Sequence, residues 1–413
     1  MRKDPFYRTL LLCCLLFSSV ARAQLQKIYL QPKAAGNGKQ SQFVDSIRFI
    51  PLEIKAGIQS GTYSRIELTD NYFLILDYNG KSILVYSRQG NFIRKINYKQ
   101  LGQNFHPTYD ARKNQLTFFG TNKNYALTPK DQLQIVADAD NPRNLKYFKK
   151  YLVDLADSTF TIKKTTPAQN DLKQALPYYG DYSLHSQITT SPQYKDSLDY
   201  ELKIYRNNQL VKGFFPYNRI QEPKYLFTAE SVIPMVTDTP FIRYVTRPFC
   251  DTVYKMVRDS IFPAYQVVLP LENSLPQAFF TRPFKNKTER ENFERNNGWL
   301  LHKVLSFEET PRFIQFSVWY LSNYDTYVHN KQTNITYKAK NIRPDSSQYN
   351  LKLLGEYNIL KKDDRYYKTQ KAGDLIAFFE KNKNVAIPRE LEAFLKSNPP
   401  ATSPIIVEYK LKN

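Results

Sequence analysis

The sequence predicts an all-β chain: a six-bladed β-propeller closed by its N-terminal strand, with short helical insertions. Three observations support this. First, residues 63–96 read as a four-stranded antiparallel meander. Apolar runs at 66–68, 72–77 and 83–86, and a fourth opening at Phe92, are separated by Thr69-Asp70-Asn71, Asn79-Gly80 and Gln89-Gly90-Asn91. Asn-Gly favours the positive φ of a tight hairpin, and Gly90 supplies the same freedom at the next reversal. Second, meanders of similar length recur down the chain. Third, Phe73-Leu74-Ile75-Leu76 and Ile83-Leu84-Val85 are apolar on both faces. A sheet stacked between two others needs that, because neither face meets water. A sandwich would show stricter alternation. Composition agrees, since 31 Tyr and 27 Phe suit strands, and only 13 Gly leave most turns to Asn, Asp and Pro.

Taken in order, the 413 residues open on a secretory leader. Arg2, Lys3 and Arg8 form its basic start, 10–20 its apolar core, and Ala21-Arg22-Ala23 its cleavage site, so the mature chain is expected from Gln24. The apolar run of about ten residues is too short to span a bilayer. Cys13 and Cys14 lie inside it, preceded by Leu rather than the small residues of a lipidation site. Cys250 is then the one thiol left, which excludes an intrachain disulfide and suits a bacterial periplasm or cell surface.

Residues 24–40 are expected as an exposed lead-in. The strand at 43–54 has no local partner and is assigned to the last blade, where it seals the ring. A second meander is expected at 107–110, 116–120, 125–127 and 133–136. A third begins near Tyr151, is interrupted by an insertion loop at 166–182, and resumes at 184–190, 200–206 and 209–215 around an Asn207-Asn208 turn. The fourth covers 225–231, 241–247, 251–257 and 265–269. Residues 284–297 read as a charged surface helix with Thr288 and Glu291 as a capping box. The fifth meander covers 299–307, 313–320, 326–330 and 334–339. The sixth has strands at 359–362, 366–369 and 405–411 and helices at 374–381 and 389–396, the second opened by Pro388. The organisation is thus a signal peptide (1–23), a lead-in (24–40) and one propeller domain (41–413).

These residues resemble the secreted bacterial six-bladed β-propeller family, relatives of the NHL-repeat propellers. The likeness is carried by Phe49-Ile50-Pro51-Leu52-Glu53, by 72–77 with Ile83-Leu84-Val85-Tyr86, and by Phe214-Phe215-Pro216-Tyr217. Asp251-Thr252-Val253-Tyr254, Phe262-Pro263-Ala264-Tyr265 and Ser403-Pro404-Ile405-Ile406-Val407 complete it. Where family members carry a Gly-Pro-rich turn after the first blade, Leu101-Gly102-Gln103-Asn104-Phe105 stands here. The resemblance implies export and ligand or partner binding.

No catalytic motif is legible. There is no G-x-S-x-G elbow, glycine-rich phosphate loop or CxxC, and His106, His185, His302 and His329 lack helical zinc spacing. No cofactor, metal or catalytic residue is assigned. The formal charge of +21, less the net +3 of four basic and one acidic residue in 1–23, leaves +18 on the mature chain. Such a balance points to acidic glycans or an envelope protein as partner, and export argues against nucleic acid. A monomer is expected.

The candidate ligand contacts are Tyr178, Tyr179, Arg219, Arg243, Arg247, Trp319 and Tyr320, with Tyr182, Tyr217 and Tyr324 beside them. Aromatic faces stack on sugar rings, and Arg grips carboxylates bidentately. The expected function is non-catalytic binding or scaffolding outside the cytoplasm, of a glycan, peptide or envelope partner. The alternative is a metal-dependent propeller hydrolase or lactonase with its site in the central channel.

Overall fold

The computed structural model describes residues 25–412 apart from 56–63, 102–105, 129–130, 132–133, 136–137, 139–140, 173–174, 187, 189–196, 221–231, 238, 282–283 and 356–359. Within them, twenty-six strands form six sheets. Three strands precede the first blade: β1 (Gln26–Tyr29), β2 (Gly36–Lys39) and β3 (Val44–Pro51). Blade 1 is β4 (Ser64–Leu68), β5 (Tyr72–Asp77), β6 (Ser82–Ser87) and β7 (Phe92–Asn97). Blade 2 is β8 (His106–Asp110), β9 (Gln115–Thr121), β10 (Phe148–Asp154) and β11 (Lys163–Thr165). Blade 3 is β12 (Leu176–Pro177), β13 (Tyr182–His185), β14 (Leu198–Arg206) and β15 (Gln209–Asn218). Blade 4 is β16 (Ile233–Val236), β17 (Ile242–Thr246), β18 (Thr252–Val257) and β19 (Ser260–Val268). Blade 5 is β20 (Leu301–Glu309), β21 (Phe313–Tyr320), β22 (Tyr324–Asn330) and β23 (Ile335–Arg343). Blade 6 is β24 (Leu360–Lys362), β25 (Arg365–Lys371) and β26 (Pro404–Leu411), with β3 as its outermost strand.

The chain is therefore a six-bladed β-propeller, closed as the sequence predicts. β3 runs antiparallel to β26, with Phe49 opposite Val407 and Pro51 opposite Ile405. The seam also reaches blade 1, where the Glu53 amide donates to the Gly90 carbonyl at 2.8 Å. Gly90 has φ +92°, and a Cβ there would lie 2.3 Å from the Pro51 carbonyl oxygen, so the sealing strand needs this glycine. Gly80 acts differently from the expectation. The positive φ falls on Lys81, and Gly80 is needed for space, since its Cβ would meet an Asp77 carboxylate oxygen at 2.2 Å. Asn207 and Asn208 both take positive φ (49° and 66°), as a two-residue hairpin requires.

The doubly apolar runs are explained by the packing. Phe73, Ile75, Leu84 and Tyr86 pack with Tyr367 and Ile406 of blade 6. The alternate residues Leu74, Leu76, Ile83 and Val85 pack with Leu116, Phe118 and Val153 of blade 2. Similar clusters join blades 3 and 4, 4 and 5, and 5 and 6. Among the described residues no such cluster joins the strands of blades 2 and 3.

Several expectations are corrected. The stretch 24–40 is not a bare lead-in: β1 lies parallel on β19 and β2 parallel on β23, so the N-terminal chain passes along the outer edges of blades 4, 5 and 6. β1 sends Ile28, and Leu30 just after it, into the core between blades 4 and 5, an alternation too short to stand out in the sequence, and β2 (GNGK) has no apolar residue at all. Residues 125–127 are not strand, and Gln134 and Ile135 are helical. Thr128 and Asp131 exchange side-chain–backbone hydrogen bonds of 2.8 and 3.2 Å there, a helix-start pattern that outweighs two short apolar runs. The third strand of blade 2 is therefore β10, and blade 3 begins at β12, inside the expected insertion loop. The charged helix spans Lys287–Asn296, and its cap is Asn286, whose side chain accepts from the Glu289 amide, rather than Thr288. The expected strand 225–231 lies outside the described residues.

Candidate functional site

Strands alternate in direction, so each blade presents its first-to-second and third-to-fourth turns at one rim, here called lower. Its second-to-third turns and interblade connections lie at the upper rim. The lower rim of blades 2–4 brings Tyr178, Tyr179 and Tyr182 together with Arg112, Arg206 and Arg243. The β12–β13 turn carries Tyr178, Tyr179, Gly180, Asp181 and Tyr182, closed by the Tyr178 amide on the Tyr182 carbonyl at 3.0 Å. Gly180 takes φ +52°, which the turn needs to bring the rings together. Tyr179 stacks on Tyr182 at 4.6 Å between centroids and meets Tyr178 edge-on at 4.8 Å.

Blades 2, 3 and 4 each supply a cation. Arg112, in the β8–β9 turn, donates from Nη1 to the Gly180 and Tyr182 carbonyls at 2.9 Å each. Its Nε and Nη2 meet Asp110 at 3.3 Å. Arg206, beside the β14–β15 turn, lies 5.3 Å from the Tyr182 ring centroid and binds Asp181 at 2.8 Å. That ion pair holds the Asp181 carboxyl below its ordinary range. Arg243 on β17 lies 5.1 Å from the Tyr178 ring centroid. The Tyr178 hydroxyl donates to the Phe241 and Arg258 carbonyls at 2.9 and 3.0 Å, locking blade 3 to blade 4. Burial pushes this phenol up to about 12.

Arg243 stands apart electrostatically. It is 6 % exposed. Nη1 donates to the Pro240 and Ile242 carbonyls at 3.0 and 2.7 Å. Among the described residues no carboxylate meets it, and its Nε and Nη2 make no hydrogen bond. Burial lowers its basicity and the nearby Arg112 charge lowers it further, with Tyr178 opposing. A buried guanidinium that meets no carboxylate among the described residues is disfavoured, and a bound anion would relieve that cost.

The other predicted residues lie elsewhere. Arg243 and Arg247 flank β17 at opposite ends, about 13 Å apart at strand rise, so they do not form one site. Arg247 is held at the upper rim by Glu201, through bonds of 2.9 and 2.5 Å, and lies 4.4 Å from the Phe215 ring centroid. Its guanidinium basicity is lowered by burial but raised more by Glu201. Arg219 follows β15 at the upper rim, its amide on the Ser197 carbonyl at 2.7 Å. Trp319 is half-buried and stacks on His302 at 4.6 Å, which in turn stacks on Phe249 at 4.8 Å. Tyr320 is fully buried, its hydroxyl 3.3 Å from that of Tyr327. Tyr178, Tyr179 and Arg243 thus come together, while Arg219, Arg247, Trp319 and Tyr320 belong to the opposite rim. The reading missed Arg112 and Arg206. Both flank hairpin turns of adjacent blades that end at the same rim, which was the available signal. Among the described residues no three His, Cys, Asp or Glu side chains converge as metal ligands.

Comparison with known proteins agrees with the fold. Residues 22–103 match a family described as a 6-bladed beta-propeller. A solved Bacteroides fragilis protein, described as a "Putative exported protein", aligns over 94% of this chain and 100% of its own, with a TM-score of 0.54 at 15% identity. That likeness shows the fold alone. A Bacteroides thetaiotaomicron protein of unknown function aligns over 89% and 76% at TM-score 0.31 and 9% identity. A Pyrococcus horikoshii acylaminoacyl peptidase aligns over 75% of this chain and 43% of its own, at TM-score 0.31 and 9% identity. No curated protein matches. No helix among the described residues is long and apolar enough to cross a membrane.

Proposed function

We propose that this propeller is an extracytoplasmic binding protein, without catalytic activity, whose lower rim at blades 2–4 recognises an acidic glycan. The observation that carries this reading is Arg243, a cation with two donor nitrogens unused and no carboxylate among the described residues. A sugar carboxylate supplies the missing charge and accepts from the fork. Half-buried Tyr179 and Tyr182 give the ring surface on which a pyranose stacks, and Arg112 and Arg206 hold those rings in place. The leader at 1–23 and the +18 mature charge are consistent with a partner carrying negative charge outside the cytoplasm.

Calorimetric titration with oligogalacturonate, against a neutral glucose oligomer of equal length, tests it. Wild type is expected to bind the acidic oligomer preferentially. Arg243→Lys, which keeps the charge but loses the fork, is expected to weaken binding about tenfold, with its melting temperature close to wild type. Equal affinity for the neutral oligomer, or unchanged affinity in Arg243→Lys, would overturn the assignment.

A further inference from the structure

The lower rim of blade 4 holds a second arginine beside the tyrosine turn. Phe241, at the start of β17, and the β18–β19 turn lie side by side, tied by the Arg258 amide, which donates to the Phe241 carbonyl at 2.9 Å. Arg258 and Asp259 form that two-residue turn, between the paired residues Val257 and Ser260. Arg258 takes φ +54°. Glycine or asparagine suits the first central position of such a turn, and a long side chain there is strained. Strain of this kind persists where the side chain has a task. The Arg258 guanidinium lies 5.4 Å from the Phe241 ring centroid. Both side chains are open to solvent, Phe241 at 37%. Among the described residues Arg258 makes no ion pair. The turn also borders Tyr179, whose phenol is raised by burial, by Tyr182 and by Asp259, with Arg258 opposing.

We propose that Phe241 and Arg258 form a second subsite, so that the lower rim takes a run of at least two adjacent acidic sugars rather than one. The inference rests on the acidic-glycan reading above and deepens it. The two subsites are contiguous. The Tyr178 hydroxyl donates to the Phe241 and Arg258 carbonyls, while its ring centroid lies 5.1 Å from the Arg243 guanidinium. Arg243 itself donates to the Ile242 carbonyl, one residue from Phe241. Two guanidinium groups that meet no carboxylate among the described residues therefore flank one short segment, each beside an aromatic ring. A single carboxylate neutralises one of them. Two linked uronates bring a carboxylate to each, and the second sugar ring finds the exposed part of Phe241. Arg258 is exposed, so its pairing contributes less than that of buried Arg243.

The test titrates the mature chain calorimetrically with digalacturonate and with its monomethyl ester, which has the same length and one carboxylate fewer. Wild type is expected to bind the dianion about fivefold more tightly than the ester. Arg258→Gly removes the guanidinium and suits the φ +54° backbone. It is expected to lose that preference without a fall in melting temperature. No preference in wild type would overturn the second subsite. A preference that survives Arg258→Gly would assign it to the net charge of the chain and overturn the subsite equally. In either case the Arg243 reading stands if Arg243→Lys still weakens binding of both sugars. Binding of neither sugar by wild type would overturn that reading and the subsite together.

Discussion

His302 shows what one buried residue does in this ring. It lies 4% exposed between the rings of Phe249 and Trp319. Burial, then the charges of Lys303 and Arg290, lowers its imidazole to about 4 from 6.5. Between those values the unfolded chain binds a proton that the native chain does not, so stability is full above pH 6.5 and falls as pH drops towards 4. The shift corresponds to about 3 kcal/mol at most. His329, also lowered by burial, adds with the same sign. Glu67, raised by burial, acts with the opposite sign above its ordinary range. Glu309 is raised by burial but lowered more by Lys331, Tyr244 and Tyr265, so its net contribution is lost only below the ordinary glutamate value. Denaturant melts at pH 7 and pH 4.8 should show wild type losing stability, and His302→Phe, which keeps the stack without the titration, losing less. Equal losses would remove the histidine from the account. None of this was legible beforehand. A histidine one residue from a lysine in a strand gives no sign of which rings flank it.

At the scale of elements, legibility followed side-chain content. Strands with apolar faces, such as β5, β6, β21 and β26, fell where their sequences put them, and β3 was recognised as the sealing strand because it had no local partner. β1, β2 and β12 were missed because strands of two to four residues carry too little apolar pattern to be seen, and the third meander was misphased as a result. The tyrosine turn was placed in a loop, which kept its residues together but hid Arg112 of blade 2 and Arg206 of blade 3. The sealing strand carries the prediction at this scale. Phe49 is buried among Tyr349, Val407 and their neighbours, with Tyr349 edge-on at 5.7 Å. Phe49→Ala leaves a cavity at the closure and should cost about 3–5 kcal/mol. A chevron of folding and unfolding rates should place that loss mainly in faster unfolding, because a strand pairing across nearly the whole chain forms late. A loss carried by the folding rate would mean that closure precedes the blades.

For the whole molecule, the distribution of apolar contact predicts where the ring opens first. Described clusters bridge blades 1 and 2, 3 and 4, 4 and 5, 5 and 6, and 6 and 1. The hydrogen-bonded seam at β3 is thus backed by two of them, and by the Arg88 guanidinium, 4.4 Å from the Phe73 and 4.8 Å from the Tyr367 ring centroid. The junction of blades 2 and 3 is bridged instead by Arg112 on the carbonyls of the tyrosine turn. Apolar burial contributes more per contact area than exposed polar bridges, so the weak radius should lie there and not at the strand that closes the circle. Native-state hydrogen exchange in rising denaturant should show amides of β8, β12 and β13 opening before those of β5, β6, β17 and β21. Arg112→Ala should lower the first group further and leave the second unchanged. Earlier opening at β3 and β26 would reverse the ranking. The proposed glycan site borders this junction, because the tyrosine turn lies between Arg112 of blade 2 and Arg243 of blade 4, so acidic ligand that bridges Arg243 and the tyrosine turn should raise protection in β12 and β13 more than anywhere else in the ring.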